Sequence, residues 1–229
     1  LRYYGSLRRR WHWRDFANRR AMMRFFGVNC DIFLRTLCLV ATTVFFTSTG
    51  ARQGDIILAV NTLLMQLFTL FSYVMDGFAY AGEALGGRYY GAGNHTAFRQ
   101  TVRRLFAWGT GVAALFTLLY VAGGQSFLGL LTDETEVIAA SADYHYWTLA
   151  IPFVSFSAFL LDGLFIGTTS TRWMLQSIFV ASACFFLIYW LGADRWGNHA
   201  LWLAFLVYLG MRGVMQAWLG RKLVFGRGG

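Results

Sequence analysis

Proline, cysteine and charged residues are all scarce in this sequence of 229 residues. It has one proline and three cysteines, and its charged fraction is 14% against a hydrophobic fraction of 57%. Cys30, Cys38 and Cys184 form no CxxC pair, and Cys30 and Cys38 lie too far apart on one helix to form a disulfide. The cysteines therefore require no oxidising compartment. The mean hydropathy of +0.47 indicates an integral membrane protein.

Motifs of common catalytic sites are missing as well. His12, His95, His145 and His199 show neither HxxxH nor HExxH spacing, which argues against a metal site. The chain has no GxxxxGK[ST] loop for ATP and no GxSxG elbow, and Gly91–Gly93 lacks the third glycine of a dinucleotide-binding turn. We therefore expect no cofactor and rank a membrane-embedded enzyme last. Any solute movement would be driven by an ion gradient or by another chain.

Six apolar runs occupy most of the chain, and each is close to the roughly 20 residues that a membrane-spanning helix requires. They lie at 27–48, 56–86, 102–124, 144–169, 173–192 and 199–220. We predict an all-α integral membrane protein whose six-helix lobe covers residues 27–220. A basic cytoplasmic linker at 1–26 precedes this lobe, and a basic cytoplasmic tail at 221–229 follows it. The second run exceeds one bilayer crossing, so its helix should tilt or project from the membrane.

The distribution of basic residues predicts the orientation in the membrane. Eight of the 20 basic residues lie in the first 24 positions, and most of the others fall in loops on the same side of the six runs. The opposite side has only Arg52 and Arg195 and an acidic loop at Thr132–Glu136. We therefore expect a multi-pass protein of the cell membrane with both termini in the cytoplasm. The basic N-terminal segment could bind RNA, but the adjoining span favours the anionic membrane surface, so no nucleic-acid partner is expected.

Carboxylates inside the spans are the candidate functional residues, because a charge in hydrocarbon is costly. Asp162 lies about eight residues from the cytoplasmic end of the fourth run. There it would hold a proton or bind a cation; the alternative is a structural acid bonded to a hydroxyl or an arginine of another helix. Asp31 and Arg35 are spaced i, i+4, which predicts a salt bridge within the first helix.

A second acidic group follows one face of the second helix. Asp76, Tyr80 and Glu83 fall at i, i+4 and i+7, so all three share that face. Asp76 lies deeper and is the better functional candidate, whereas Glu83 is near the interface and could pair with Arg88. We place the coupling ion, H⁺ or Na⁺, at Asp162, Asp76 or Asp31.

Aromatic and small residues complete the candidate site. Ring faces can line a cavity that accepts cations, and four such residues are Tyr73, Tyr80, Phe159 and Phe165. Small residues spaced four apart let backbones approach closely, as at Gly82 and Gly86 and at Gly163 and Gly167. Pro152 lies inside the fourth run and should kink its helix, either as an ordinary bend or as a hinge.

Three segments carry a family resemblance: NCDIFLRTLCLVATTVFFTSTGAR (29–52), MDGFAYAGEALGGRYYGAGN (75–94) and LDGLFIGTTSTR (161–172). The sequence resembles the multidrug and toxic compound extrusion (MATE) family, in particular its DNA-damage-inducible protein F-like branch. This resemblance implies a transporter of twelve spans in two lobes, of which the chain forms the second lobe, spans seven to twelve. It also implies an N-terminal lobe that is absent from this chain.

The resemblance further aligns Asp162 with an acid implicated in cation binding in sodium-coupled relatives. The acid that those relatives carry midway along span seven has no counterpart around Val40–Val44, which are apolar residues or threonine. A sodium site of that type is therefore in question for this chain.

The functional prediction is the C-terminal lobe of a secondary active multidrug efflux transporter. It would exchange a cation for small amphipathic or cationic organic compounds across the lipid bilayer by alternating access. One alternative is a lipid-linked or oligosaccharide flippase of the same superfamily, which would require a more basic cavity. The other is a six-span accessory membrane subunit that transports nothing by itself.

Overall fold

The computed structural model describes residues 19–225, which form seven α-helices and no strand. Predictions for residues 1–18 and 226–229 lie outside this part of the chain. The helices are α1 (Arg19–Arg52), α2 (Asp55–Gly91), α3 (His95–Leu128), α4 (Thr135–Ser141), α5 (His145–Gly167), α6 (Thr171–Trp196) and α7 (Asn198–Phe225). All of them except α4 are long and apolar enough to cross a membrane. The prediction of an all-α protein with six spans is confirmed.

Most of the spanning helices extend beyond the apolar runs from which they were predicted. Helix α1 already includes Arg19, inside the segment that was expected to be linker, and no proline or glycine lies between Arg19 and Gly27 to interrupt it. Helix α2 has 37 residues, more than one crossing requires. The short helix α4 occupies a connection for which the sequence predicted only a loop, and it follows a break in α3 at Gly124, whose φ is 45°. Glycine adopts such a positive φ without steric cost.

Helix α5 is the central element of the bundle and packs against α2, α3 and α7. A helix that is surrounded by neighbours is apolar on all sides, which explains why its sequence shows no polar face apart from Asp162 and small hydroxyl residues. The helix continues through Pro152, which is buried, and the kink at that residue stays a prediction. Helices α6 and α7 pack along each other, and α1 lies mainly against α6.

Buried apolar side chains form two clusters, one in each half of the bundle. Prominent members of the cluster in the half where α1 ends are Phe46, Leu64, Ile151, Phe185 and Trp202. Prominent members of the other are Phe71, Met75, Phe98, Leu164 and Phe165. Asp162 lies between Leu161 and Leu164 of this second cluster, so its charge is placed inside the apolar core of the lobe.

Candidate functional site

Asp162 is the centre of a buried hydrogen-bond network that joins three helices. Its Oδ2 accepts hydrogen bonds from Nη2 of Arg35 on α1 and from Nη2 of Arg212 on α7, the second at 2.5 Å. Its Oδ1 accepts a hydrogen bond of 2.6 Å from Nε2 of Gln216, also on α7. Asp162 is only 5% exposed. Both of its carboxylate oxygens are therefore occupied by side chains of other helices.

This arrangement corresponds to the structural alternative considered for Asp162 rather than to a solitary carboxylate. Two guanidinium groups and one carboxylate give the network a formal charge of +1, and the two ion pairs satisfy a charge that the core alone would not tolerate. A proton or metal cation that reached Asp162 would have to compete with Arg35 and Arg212. A coupling role for Asp162 stays a prediction.

The salt bridge predicted between Asp31 and Arg35 is wrong. Arg35 pairs with Asp162, and Asp31 Oδ2 instead accepts a hydrogen bond of 2.8 Å from Oγ1 of Thr171, at the start of α6. An exposed i, i+4 pair stabilises a helix by only a few tenths of a kcal/mol, roughly 0.2–0.5. A buried carboxylate attracts an arginine more strongly, because the surrounding dielectric constant is lower.

A cavity of about 370 Å³ lies directly beside this network. Its charged lining residues are Arg35, Asp76, Glu83, Asp162 and Arg212. The structure thus brings together the acidic face of α2 and the charge network on α1, α5 and α7. Three carboxylates and two guanidinium groups give the cavity a formal charge of −1.

Of the four aromatic residues that were expected to line a cavity, two line it and two do not. Tyr80 and Phe159 line the cavity beside Asp162. Tyr73 is not among the lining residues, although at 70% it is as exposed as Tyr80. Phe165 does not line the cavity either, because it is buried in the core and packs edge-to-face on Trp173 with 5.9 Å between the ring centroids.

Glu83 and Arg88 form no ion pair within the part of the chain that the structure describes. Glu83 lines the cavity, whereas the guanidinium carbon of Arg88 lies 5.9 Å from the centroid of the neighbouring Tyr89 ring. Glu83 is therefore part of the candidate site and not only a charge at the membrane interface.

Sequence reasoning did not select Arg212, although a signal for it was present. The residue lies well inside the last apolar run, and a guanidinium at that depth is as costly as a carboxylate. Gln216, one helical turn further along α7, links that helix to α5 through its bond to Asp162. A buried arginine on one span and a buried aspartate on another form a natural pair.

No group of three or more His, Cys, Asp or Glu side chains between residues 19 and 225 could hold a metal ion. Outside the cavity, a further buried polar cluster joins α2 to α7. The carboxamides of Asn61 and Asn198 donate to each other at 2.8 and 2.9 Å, and Trp202 Nε1 donates to Asn61 Oδ1 at 2.9 Å.

Comparison of the sequence with known proteins identifies a family and several relatives. Residues 32–191 match the family model described as MatE. The chain is 39% identical over 203 residues to DNA damage-inducible protein F of Escherichia coli (strain K12), which covers 87% of this chain and 43% of that protein. It is 23% identical over 188 residues to Protein DETOXIFICATION 44, chloroplastic, of Arabidopsis thaliana, covering 80% of this chain and 35% of that protein. The chain therefore spans less than half the length of these curated relatives.

Proposed function

Because this chain belongs to the MatE family, whose members are transporters rather than enzymes, we propose that it forms the C-terminal lobe of a cation-coupled exporter. The exporter exchanges H⁺ or Na⁺ for small amphipathic or cationic organic compounds. Six spanning helices and a coverage of less than half of each relative support one lobe of a two-lobe protein. The N-terminal lobe is then its partner in the membrane.

The observation that carries the proposal is the cavity between α2 and the charge network. It combines the ring of Tyr80 and the ring of Phe159 with carboxylates, which suits a ligand that has an apolar body and a positive charge. Among the described residues, Asp76 has neither a hydrogen bond nor a salt bridge, whereas Asp162 is held by three partners. Of the three candidate coupling acids, Asp76 is therefore the one that no described side chain holds.

The three candidate coupling acids differ in what an arriving ion must displace. An ion at Asp76 displaces no protein partner, and one at Asp162 displaces an arginine. An ion at Asp31 displaces the hydroxyl of Thr171. Ion binding would favour one facing state of the two lobes and substrate the other, so that the ion gradient shifts the population between them.

The two alternative functions have less support. A flippase for phosphate-bearing lipids would need excess positive charge in the cavity, but the two arginines there face three carboxylates. An accessory subunit without transport would have no use for Asp76, an acid without a partner in a membrane cavity.

The test uses the complete two-lobe protein in lipid vesicles, with pH and Na⁺ gradients imposed separately. We expect D76N to reduce gradient-driven efflux of a cationic dye at least tenfold, and D162N to reduce it as well by releasing Arg35 and Arg212. E136Q, on the short helix α4 outside the cavity, is the matched control and should transport normally. Unchanged efflux in D76N would remove Asp76 from the mechanism.

A further inference from the structure

Arg35 and Arg212 share one oxygen atom of Asp162 but are held very differently. The side chain of Arg212 is 3% exposed, and its guanidinium carbon lies 5.9 Å from the centroid of the Tyr208 ring. The side chain of Arg35 is 19% exposed and borders the cavity. Because Gln216 and Arg212 already occupy both carboxylate oxygens, Asp162 stays paired when Arg35 leaves.

Arg35 also has a second carboxylate within the same cavity. Asp76 lines that cavity from α2, and Arg35 lines it from α1. The acid on its own helix does not compete for Arg35, because Asp31 is bonded to Thr171. The Nε atoms of Arg35 and Arg212 are both buried without a hydrogen-bond acceptor, so the two arginines differ in exposure and not in this respect.

We infer that Arg35 is a positioning residue that moves between Asp162 and Asp76 according to whether Asp76 carries the coupling cation. The inference rests on the proposed function. A bare Asp76 carboxylate attracts Arg35 across the cavity and leaves Asp162 to Arg212 and Gln216. A neutralised Asp76 has no such attraction, and Arg35 then ties α1 to α5 through Asp162.

Through this exchange, a cation bound at Asp76 of α2 would cause α1 and α5 to be joined by the ion pair between Arg35 and Asp162. The helices α1 and α5 have little other contact, since α1 packs mainly on α6. The charge pair is therefore a large part of what holds them together. In a cavity of low dielectric constant a single charge decides which of two carboxylates a guanidinium selects.

The experiment measures the separation of α1 and α5 in the complete two-lobe protein in lipid nanodiscs without a gradient. One spin label is placed on the exposed Cys30 of α1 and the other on F153C, at a position of α5 that is 47% exposed in the wild type. Cys38, Cys184 and any cysteines of the other lobe are replaced by alanine. D76N then serves as the permanently neutral form of Asp76.

We expect D76N to narrow the distance distribution and shift it toward the shorter separation. In an R35Q background, D76N should have no effect, and R35K should restore the response because it keeps the positive charge. R35M, of similar length and without polar atoms, is the second background if R35Q is poorly folded. E83Q is the control on the same face of α2, and its effect should not depend on Arg35.

An equal D76N shift with and without Arg35, or no shift in either background, would overturn the inference. Its failure is distinguishable from that of the proposed function, because the distances are measured without transport. If D76N stops efflux while the distances ignore Arg35, the exporter proposal stands and the exchange does not. If the effect of D76N on the α1–α5 distance depends on Arg35 but no ion gradient drives efflux, the movement of Arg35 is supported and the exporter proposal is contradicted.

Discussion

Gly163 on α5 lies directly against the main-chain carbonyl oxygen of Ala79 on α2, so close that a β-carbon at position 163 would overlap with that oxygen. One helical turn further along, Gly167 lies in the same way against the carbonyl oxygen of Glu83. The two backbones therefore meet at the helix segment that carries Asp162. The acidic face of α2 is brought to the cavity by this contact.

Replacing Gly163 should separate the two helices. We expect G163A to destabilise the purified protein by about 1–3 kcal/mol or more, because the obstacle is a backbone atom that cannot rotate away. Thermal unfolding in detergent provides the measurement. The matched control is G111A on α3, where a β-carbon would meet nothing within 4 Å. That variant should be neutral or slightly more stable, since alanine favours the helix over glycine by about 1 kcal/mol. Equal stability of both variants would contradict the close contact.

Arg212 should contribute more to stability than Arg35, although both bind the same carboxylate. Removing one partner of a buried ion pair costs roughly 3–5 kcal/mol, and the cost falls as the site becomes more exposed to water. The side chains of Arg212 and Arg35 are 3% and 19% exposed. We therefore expect R212Q to lower the unfolding temperature clearly more than R35Q does, with efflux of the two-lobe protein measured in parallel. A larger loss in R35Q would show that Arg35 is the fixed partner.

The sequence was sufficient to predict the spans and the shared face of α2, because both depend on local spacing. Hydropathy over about 20 residues defines a crossing, and the i, i+4, i+7 pattern is set by the helical repeat. The ends of the helices were predicted less well, since polar residues extend a helix beyond the membrane without interrupting it. Helix α1 shows this at Arg19, and the far end of α2 shows it at Gly91.

Partners of the buried charges could not be predicted in the same way. Arg35 had an acid one turn away at Asp31, and local spacing favoured that pair. Its actual partner, Asp162, is 127 residues away, and the choice is decided by burial, which requires the packed bundle. For Arg212, the sequence showed that the residue lies deep in the last apolar run, but it did not show that Asp162 is its partner.

The carboxamides of Asn61 and Asn198 should behave as a single unit at the α2–α7 contact. Asn61 is 2% exposed and Asn198 is 3% exposed. N61A leaves the Asn198 carboxamide and the Trp202 indole N–H buried without these partners, at a cost of about 1–3 kcal/mol for each unsatisfied group. N198A leaves Asn61 in a similar state. The double variant N61A/N198A should therefore be less destabilised than the sum of the two single variants. A thermal double-mutant cycle gives the coupling, and strict additivity would contradict the reciprocal bonds.

The orientation in the membrane can be tested at two exposed positions on opposite ends of the bundle. Glu134 lies in the connection before α4, and Arg103 lies near the start of α3. Basic residues are retained on the cytoplasmic side, so we expect E134C to react with a membrane-impermeant maleimide in intact cells. R103C should react only after the membrane is permeabilised. Native Cys30, Cys38 and Cys184 are removed first, and the cysteine-free protein is the labelling control. The reverse pattern would place both termini outside the cytoplasm. The basic clusters would then face away from the anionic leaflet, and the cavity beside Asp76 would meet the ion gradient from the opposite side.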